Sequence, residues 1–189
     1  MRIFDTPFGR MAVSATARGL TRVFLPNVGC VLCTHAEVAE ALHVSAALLN
    51  PRHAGGFIPP HAGGFLPDRA ASALAARAEL EILQYLAGRR RKFTVPVDLS
   101  AAPPFHGKVL WALARIPYGQ TVTYGELAAR VGRPHGARAV GQAMACNPVP
   151  LVVPCHRVVA SGGGLGGYRG GLDLKRRLLG LEGVRFSAE

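Results

Sequence analysis

The chain has 189 residues, of which 49% are apolar and 17% are charged, so it can bury a core and is not intrinsically disordered. No apolar run approaches the roughly 20 residues that a transmembrane helix needs, and polar and glycine residues near the start argue against a signal peptide. The net charge of +11, of which residues 104–189 carry +7, indicates a polyanionic partner such as nucleic acid. An arginine-rich proteome would produce the same excess, so charge alone leaves the partner open.

The N-terminal part of the chain predicts a small α/β unit. Two runs with strand-like alternation, "RIFDTPFGRMAVSAT" and "GLTRVFLP", are separated by turn residues and predict a β-hairpin. Residues 34–48 have helical periodicity, and the unit "HAGGFIPP" recurs once as "HAGGFLPD" at 61–68, which favours an irregular loop. Residues 68–90 predict an amphipathic helix, with Asp68 as its N-cap and Gly88 as its C-terminal stop.

The extended connector "KFTVPVDLSAAPP" separates this unit from the rest of the chain. We therefore predict an N-terminal domain over residues 1–98, with an atypical segment at 30–68, and a C-terminal domain over residues 104–189. The second domain begins with a predicted helix at 105–116.

Two further short helices are predicted in the C-terminal domain. Thr123 and Glu126 form a capping box for the first, and the second lies within residues 133–148, with Pro134 near its start. The pair, joined by a glycine-containing turn, fits a helix-turn-helix. A glycine-rich loop, "ASGGGLGGYRGG", precedes a last helix from about Leu172, and this spacing is wrong for a dinucleotide-binding fingerprint.

One apolar run carries a thiol, an imidazole and a guanidinium on consecutive residues, Cys155, His156 and Arg157. Residues 152–159, "VVPCHRVV", predict a buried strand that Pro154 interrupts at the thiol of Cys155. Consecutive side chains on a strand face opposite ways, so a water is expected to bridge Cys155 and His156. A lone buried cysteine is more often a small apolar residue than a nucleophile, and only the neighbouring residues favour catalysis.

The same residues carry a family resemblance. The stretch "NPVPLVVPCHRVV", together with "TYGELAARVG", "ARAVGQAM" and "GGYRGGLDLKRRLLGLEG", closely resembles the O6-alkylguanine-DNA alkyltransferases from about Glu79 to Gly183. The resemblance implies a ribonuclease-H-like α/β N-terminal domain and a C-terminal helical domain with a winged helix-turn-helix. It also implies repair of double-stranded DNA containing O6-alkylguanine by a monomer that moves the alkyl group irreversibly onto Cys155 and needs no cofactor.

The resemblance also implies a role for individual residues. His156 matches the family's base, which acts through water, and Glu182 matches the carboxylate that orients it. Tyr124 matches the tyrosine that crowds the target phosphate and protonates the leaving base, and Asn147 matches the asparagine that holds the turn beneath the site. The implied catalytic set is Cys155, His156, Glu182, Asn147 and Tyr124.

Two further sets follow from the resemblance. Arg138 matches the arginine that fills the space of the flipped base, and small residues let its helix approach the minor groove. The implied DNA-binding set is Arg138, Tyr124, Ala137, Ala139 and Gly141. The implied base pocket is Pro150, Val158, Tyr168 and Arg169, of which Arg169 falls where family members vary.

The cysteines and histidines of the atypical segment raise the question of a metal. Some relatives bind a structural zinc, and Cys30, Cys33 and His35 have a zinc-like spacing. The second half of such a site is missing, with only His43, His53 and His61 as candidates, so we expect no metal. The chain has four cysteines, Cys30, Cys33, Cys146 and Cys155. They are too few and too scattered for a disulfide framework, which favours the reduced cytoplasm.

Two other functions remain open from the sequence. A relative that binds alkylated DNA without repairing it would lack the cysteine, which is present here. A helix-turn-helix regulator that senses alkylation would need a further regulatory domain, for which the atypical segment leaves room.

Overall fold

In the computed structural model, which describes residues 1–26 and 68–185, the chain begins with a three-stranded antiparallel sheet in the order β1-β2-β3. The strands are β1 (Arg2–Thr6), β2 (Gly9–Thr16) and β3 (Gly19–Phe24). The predicted two-stranded hairpin is wrong by one strand, because the first run folds back at a tight turn. The Thr6 hydroxyl accepts a hydrogen bond from Phe8 N (3.2 Å), and Gly9 has a φ of +116°, which favours glycine.

Helix α1 (Arg69–Leu86) packs against this sheet, and both predicted ends are confirmed. Asp68 caps its first turn by accepting a hydrogen bond from Ala70 N (2.9 Å). Gly88 adopts a φ of +71°, and Arg89 N bonds to Gln84 O (2.9 Å), which is a Schellman ending. The helix predicted at 34–48 and the duplicated "HAGGF" unit lie outside the described residues.

The connector after α1 is tied to β3. Leu20 N bonds to Pro96 O (2.8 Å) and Asp98 N bonds to Leu20 O (2.9 Å). Val23 N also bonds to Pro148 O (2.9 Å), so the sheet contacts the segment that precedes the cysteine. Within the described residues, one cluster of buried apolar side chains extends from the sheet into the C-terminal helices. The division into domains at 98 and 104 stays a prediction.

Four helices follow in the described C-terminal part: α2 (Pro104–Leu113), α3 (Tyr124–Arg130), α4 (Ala137–Ala145) and α5 (Leu172–Leu181). The predicted capping box of α3 is confirmed, since Thr123 and Glu126 bond to each other's backbone N–H through their side chains. Helix α4 begins at Ala137 rather than near Pro134, because a turn closed by Gly136 N on Arg133 O (2.8 Å) precedes it. Helices α2, α3 and α4 pack against one another.

The predicted strand at 152–159 is mostly wrong. Cys155–Arg157 forms a single turn of 3₁₀ helix, and only Val158–Val159 is a strand, β5, which pairs in parallel with β4 (Val122–Thr123). Cys155 N bonds to Val153 O (2.9 Å), so the backbone turns at Pro154 instead of extending. The run is apolar because the core surrounds it. None of the helices in the described ranges is long and apolar enough to cross a bilayer.

Candidate active site

Cys155 occupies the first position of the 3₁₀ turn and is 7% exposed. The side-chain amide of Asn147, just beyond the end of α4, donates to Cys155 Sγ (3.2 Å) and to Val153 O (2.8 Å). Its oxygen accepts from Val149 N (3.1 Å). Burial raises the pKa of the Cys155 thiol, and the Asn147 hydrogen bond and the charge of Lys175 oppose that rise. Asn147 therefore both holds the turn and stabilises a thiolate.

The turn that leads to the cysteine contains a strained residue. Leu151 is buried yet has a φ of +72°, a region that non-glycine residues rarely adopt and that costs about 1–3 kcal/mol. A hydrogen bond from Val153 N to Val149 O (2.9 Å) closes the turn around it. The contacts of Asn147 described above maintain this conformation.

His156 is fully buried behind the cysteine. Its Nε2 lies 3.0 Å from Glu182 Oε1 and 3.2 Å from the Tyr85 hydroxyl. Because an ionised carboxylate can only accept, Nε2 carries the proton and Nδ1 is the free base. Nδ1 is buried and has no hydrogen-bond partner within the described part of the chain. Burial lowers the pKa of His156, although Glu182 opposes this, so the ring is neutral near pH 7.

Glu182 is held by a buried ion pair with Arg157. Arg157 Nη2 lies 2.8 Å from Oε1, Arg157 Nε lies 2.9 Å from Oε2, and Gly119 N donates to Oε2 (3.0 Å). Burial alone would raise the pKa of Glu182, but the hydrogen bonds from His156 and Arg157 outweigh burial and hold it well below its ordinary value. The third Arg157 nitrogen, Nη1, donates to Ile116 O (2.6 Å). Glu182 is thus ionised and oriented toward the imidazole.

Sequence reasoning missed three residues of this cluster: Arg157, Tyr85 and Lys175. Arg157 was visible as a charge in an apolar run, but its partner was not. Tyr85 lies on the apolar stripe of α1, where an aromatic residue looks like any core residue. Lys175 lies on the buried face of α5, three residues before Leu178 and four before Leu179. This helical spacing could have identified Lys175 as a buried residue from the sequence.

Lys175 fastens the glycine-rich loop over the site. Its buried Nζ donates to Val158 O (2.6 Å), to Gly167 O (3.2 Å) and to Leu165 O. Burial lowers the pKa of Lys175 to about 8, and the nearby Cys155 opposes that shift. One amine therefore connects β5 to the loop at two positions.

Two tyrosines lie at this loop. The Tyr124 hydroxyl, at the start of α3, donates to Gly167 O (3.3 Å), and a Cβ on Gly166 would come within 2.9 Å of its ring. Tyr168 packs edge-on to His156 with ring centroids 6.4 Å apart, and its hydroxyl is buried with no hydrogen-bond partner among the described residues. Burial raises the pKa of both hydroxyls, so both stay protonated near neutral pH.

The remaining residues of the implied sets lie on α4 and around the cysteine. Arg138 is exposed on α4, and a Cβ on the half-buried Gly141 would lie 3.8 Å from the Tyr124 ring. Arg169 is exposed and donates to Ala145 O (3.0 Å) at the end of α4. Ala137 and Ala139 are half-buried, and Pro150 and Val158 are buried.

No group of three metal-ligating side chains occurs within residues 1–26 and 68–185. The candidate ligands Cys30, Cys33, His35, His43, His53 and His61 all lie outside those ranges. Cys146 is exposed at the end of α4 and, like Cys155, is a free thiol.

Comparison with known proteins bears directly on this geometry. Residues 104–184 match the family model described as 6-O-methylguanine DNA methyltransferase, DNA binding domain. The inducible methylated-DNA–protein-cysteine methyltransferase of Bacillus subtilis is 50% identical over 110 residues, which cover 58% of this chain and 60% of that protein. The constitutive protein of the same organism is 42% identical over 112 residues, which cover 59% of this chain and 67% of that protein. The matched region spans about 60% of the length of the first of these relatives.

Solved structures extend the similarity to the rest of the chain. The Mycobacterium tuberculosis OGT in complex with DNA has a TM-score of 0.71 and 32% identity, covering 96% of this chain and 91% of that one. The O6-methylguanine-DNA methyltransferase of Pyrococcus kodakaraensis has a TM-score of 0.56 and 27% identity, covering 97% of this chain and 98% of that one. The likeness therefore includes the N-terminal sheet and α1 as well as the helices around the cysteine.

Proposed function

Because the chain belongs to the O6-methylguanine-DNA methyltransferase family, we propose that it repairs DNA by moving the alkyl group of O6-alkylguanine onto Cys155. The observation that carries this proposal is the buried thiol, held by Asn147, in front of a neutral His156 that pairs with Glu182. A buried thiol with an oriented base is arranged for nucleophilic attack.

The reaction balances within this set of residues. The Cys155 sulfur attacks the alkyl carbon, the bond from that carbon to O6 breaks, and its electron pair leaves with the guanine. The thiol proton passes through a water to His156 Nδ1, and Glu182 stabilises the imidazolium. The guanine anion takes a proton from the Tyr124 hydroxyl, which is then reprotonated from solvent. The thioether product is stable to water, so each protein molecule reacts once.

Docking on DNA is the second part of the proposal. Helices α3 and α4 form the helix-turn-helix of a winged domain, and the small residues Ala137, Ala139 and Gly141 let α4 enter the minor groove. Arg138, exposed on α4, replaces the flipped base in the stack, and Tyr124 rotates the target phosphate. The net charge of +11 supports a DNA partner of any sequence.

The flipped base needs a pocket beside the thiol. We assign Pro150, Val158, Tyr168 and Arg169 to it, and the unpartnered Tyr168 hydroxyl supports this assignment. The N-terminal part is proposed to be the family's ribonuclease-H-like domain. We expect a monomer in the reduced cytoplasm, with Cys155 and Cys146 as thiols.

The test is transfer of label from duplex DNA containing O6-[methyl-³H]guanine. We expect one methyl group per protein molecule, with the added mass on Cys155. Cys155→Ser should abolish transfer, and Cys146→Ser, which changes an exposed thiol, should not. Tight binding without transfer would indicate a protein that only recognises alkylated DNA. Transfer to Cys146, or several turnovers per molecule, would contradict the mechanism.

A further inference from the structure

We propose that Tyr85, which comes from the N-terminal part of the chain, is a positioning residue for alkyl transfer, because its hydroxyl fixes the proton and the charge of the His156–Glu182 pair. The inference rests on the proposed function and deepens it. It gives α1 a task at the reacting centre in addition to its packing against the sheet.

The Tyr85 hydroxyl is held at the pair from two directions. It donates to Glu182 Oε1 over 2.5 Å and lies 3.2 Å from His156 Nε2. Its ring is fully buried and packs against Phe93 (centroids 5.2 Å apart) and edge-on against Tyr118 (6.1 Å). The side chain therefore has no room to turn its hydroxyl elsewhere.

The proton positions follow from the donors and acceptors. Glu182 is ionised and can only accept, so the Tyr85 proton points at the carboxylate and the phenolic oxygen is free to accept. The proton on His156 Nε2 then lies between two acceptors, Glu182 Oε1 and the Tyr85 oxygen. Both acceptors hold this proton on Nε2, which leaves the lone pair on Nδ1, the atom that must take the thiol proton. Tyr85 itself stays protonated, because burial and the charge of Glu182 raise its pKa.

The charge of Glu182 is shared among several donors. Tyr85, His156 and Arg157 all bond to Oε1, and Gly119 N bonds to Oε2. Without the Tyr85 hydroxyl, more of the carboxylate charge acts on the imidazole, which stabilises its protonated form. Among the described residues, the other charged or titratable groups near His156 are Lys175, Cys155 and Tyr168, and a change at Tyr85 leaves them in place.

Tyr85→Phe tests the inference, and Tyr118→Phe is its matched control. The Tyr118 ring packs against the Tyr85 ring, but the Tyr118 hydroxyl donates to Leu181 O (2.7 Å) and not to Glu182. Two quantities are measured on the full chain: the titration midpoint of His156 by NMR with labelled histidine, and the single-turnover rate of transfer against pH. We expect Tyr85→Phe to raise the titration midpoint of His156 by about one pH unit, which corresponds to a tenfold higher proton affinity. The acid limb of the rate–pH profile should move upward by the same amount. Tyr118→Phe should move neither.

A second substitution has the opposite sign. Tyr85→3-fluorotyrosine keeps the ring and the hydroxyl but makes the hydroxyl a stronger donor to Glu182, so the His156 midpoint should fall. This variant also provides the test if Tyr85→Phe does not fold. Superimposable His156 titrations for the wild type and either Tyr85 variant would overturn the inference. Failure of the wild type to accept an alkyl group would instead overturn the proposed function, since the NMR titration does not depend on transfer.

Discussion

The amide nitrogen of Asn147 lies 3.2 Å from the sulfur of Cys155 and 2.8 Å from Val153 O, so one side chain binds the nucleophile and the backbone that presents it. A donor at this distance favours the thiolate, in a setting where burial disfavours it. We therefore expect the reactivity of the cysteine to depend on a residue eight positions earlier in the chain.

Asn147→Asp should raise the pKa of Cys155 and slow its reactions. The change keeps the oxygen that accepts from Val149 N but replaces the donor with a carboxylate facing the sulfur. A hydrogen bond to a charged group is worth about 1.5–3 kcal/mol, so we expect at least about tenfold slower transfer at pH 7. Iodoacetamide labelling of Cys155 against pH gives the thiol pKa. Gln142→Glu, the same change at an exposed position of α4, is the control for the labelling experiment. Equal labelling profiles for both variants would refute the role of Asn147.

Glu182→Gln should destabilise the fold in a pH-dependent way. The pKa of Glu182 is lower in the folded protein than its ordinary value near 4.5, so its contribution is complete above that pH and is lost as pH falls through the folded pKa. Near pH 7 the variant leaves Arg157 buried without its charged partner, at a cost of about 3–5 kcal/mol in the free energy of unfolding. Urea unfolding between pH 7 and 3 should show the difference from wild type narrowing below about pH 4.5. A difference that stays constant with pH would contradict this account.

The control for that variant is Glu81→Gln. Glu81 is also buried, and hydrogen bonds from Thr94 lower its pKa against the effect of burial. The difference in unfolding free energy between wild type and Glu81→Gln should narrow at low pH in the same way. Glu81, however, bonds to the connector and not to His156. Glu182→Gln should therefore slow transfer to Cys155 in single-turnover assays, and Glu81→Gln should leave the rate of the folded protein unchanged.

Lys175→Met should release the glycine-rich loop. Methionine has a similar length, but it removes the amine that donates to the carbonyls of Val158, Leu165 and Gly167. Gly167 O keeps a second donor, the Tyr124 hydroxyl. Unsatisfied buried groups cost about 1–3 kcal/mol each, so we expect a loss of unfolding free energy in that range or above it and faster amide exchange in residues 160–171. Lys108→Met, on an exposed position of α2, should change neither quantity. Unchanged exchange in the loop of Lys175→Met would show that other contacts hold it.

Arg138→Ala should slow repair of duplex DNA without slowing the reaction with free O6-benzylguanine. Filling the space of a flipped base matters only when a base leaves a stack, a step worth a few kcal/mol. Arg18→Ala, which removes an equal charge from an exposed position between β2 and β3, is the control. Single-turnover rates on both substrates give the comparison. Equal losses of rate on duplex and free base for Arg138→Ala would show that its role is misplaced.

Several features could be read from the sequence because their causes are local. Asp68 and Gly88 bound α1, and Thr123 with Glu126 starts α3, since capping involves atoms only a few residues apart. The reactive role of the run around Cys155 was predicted from its resemblance to the family signature, and it stays a prediction. The sharp turn between β1 and β2 was missed, because alternation continued through Pro7 and hid the reversal.

The tertiary structure decided what the reactive residues contact. The backbone around Cys155 forms a 3₁₀ turn rather than a strand because the core and Asn147 hold it there. Glu182 meets Arg157 across 25 positions and Tyr85 across 97, and no periodicity or capping signal relates residues so far apart. Those contacts exist because α1 and α5 bury their apolar faces in one core, which brings their polar residues together where water cannot replace the hydrogen bonds.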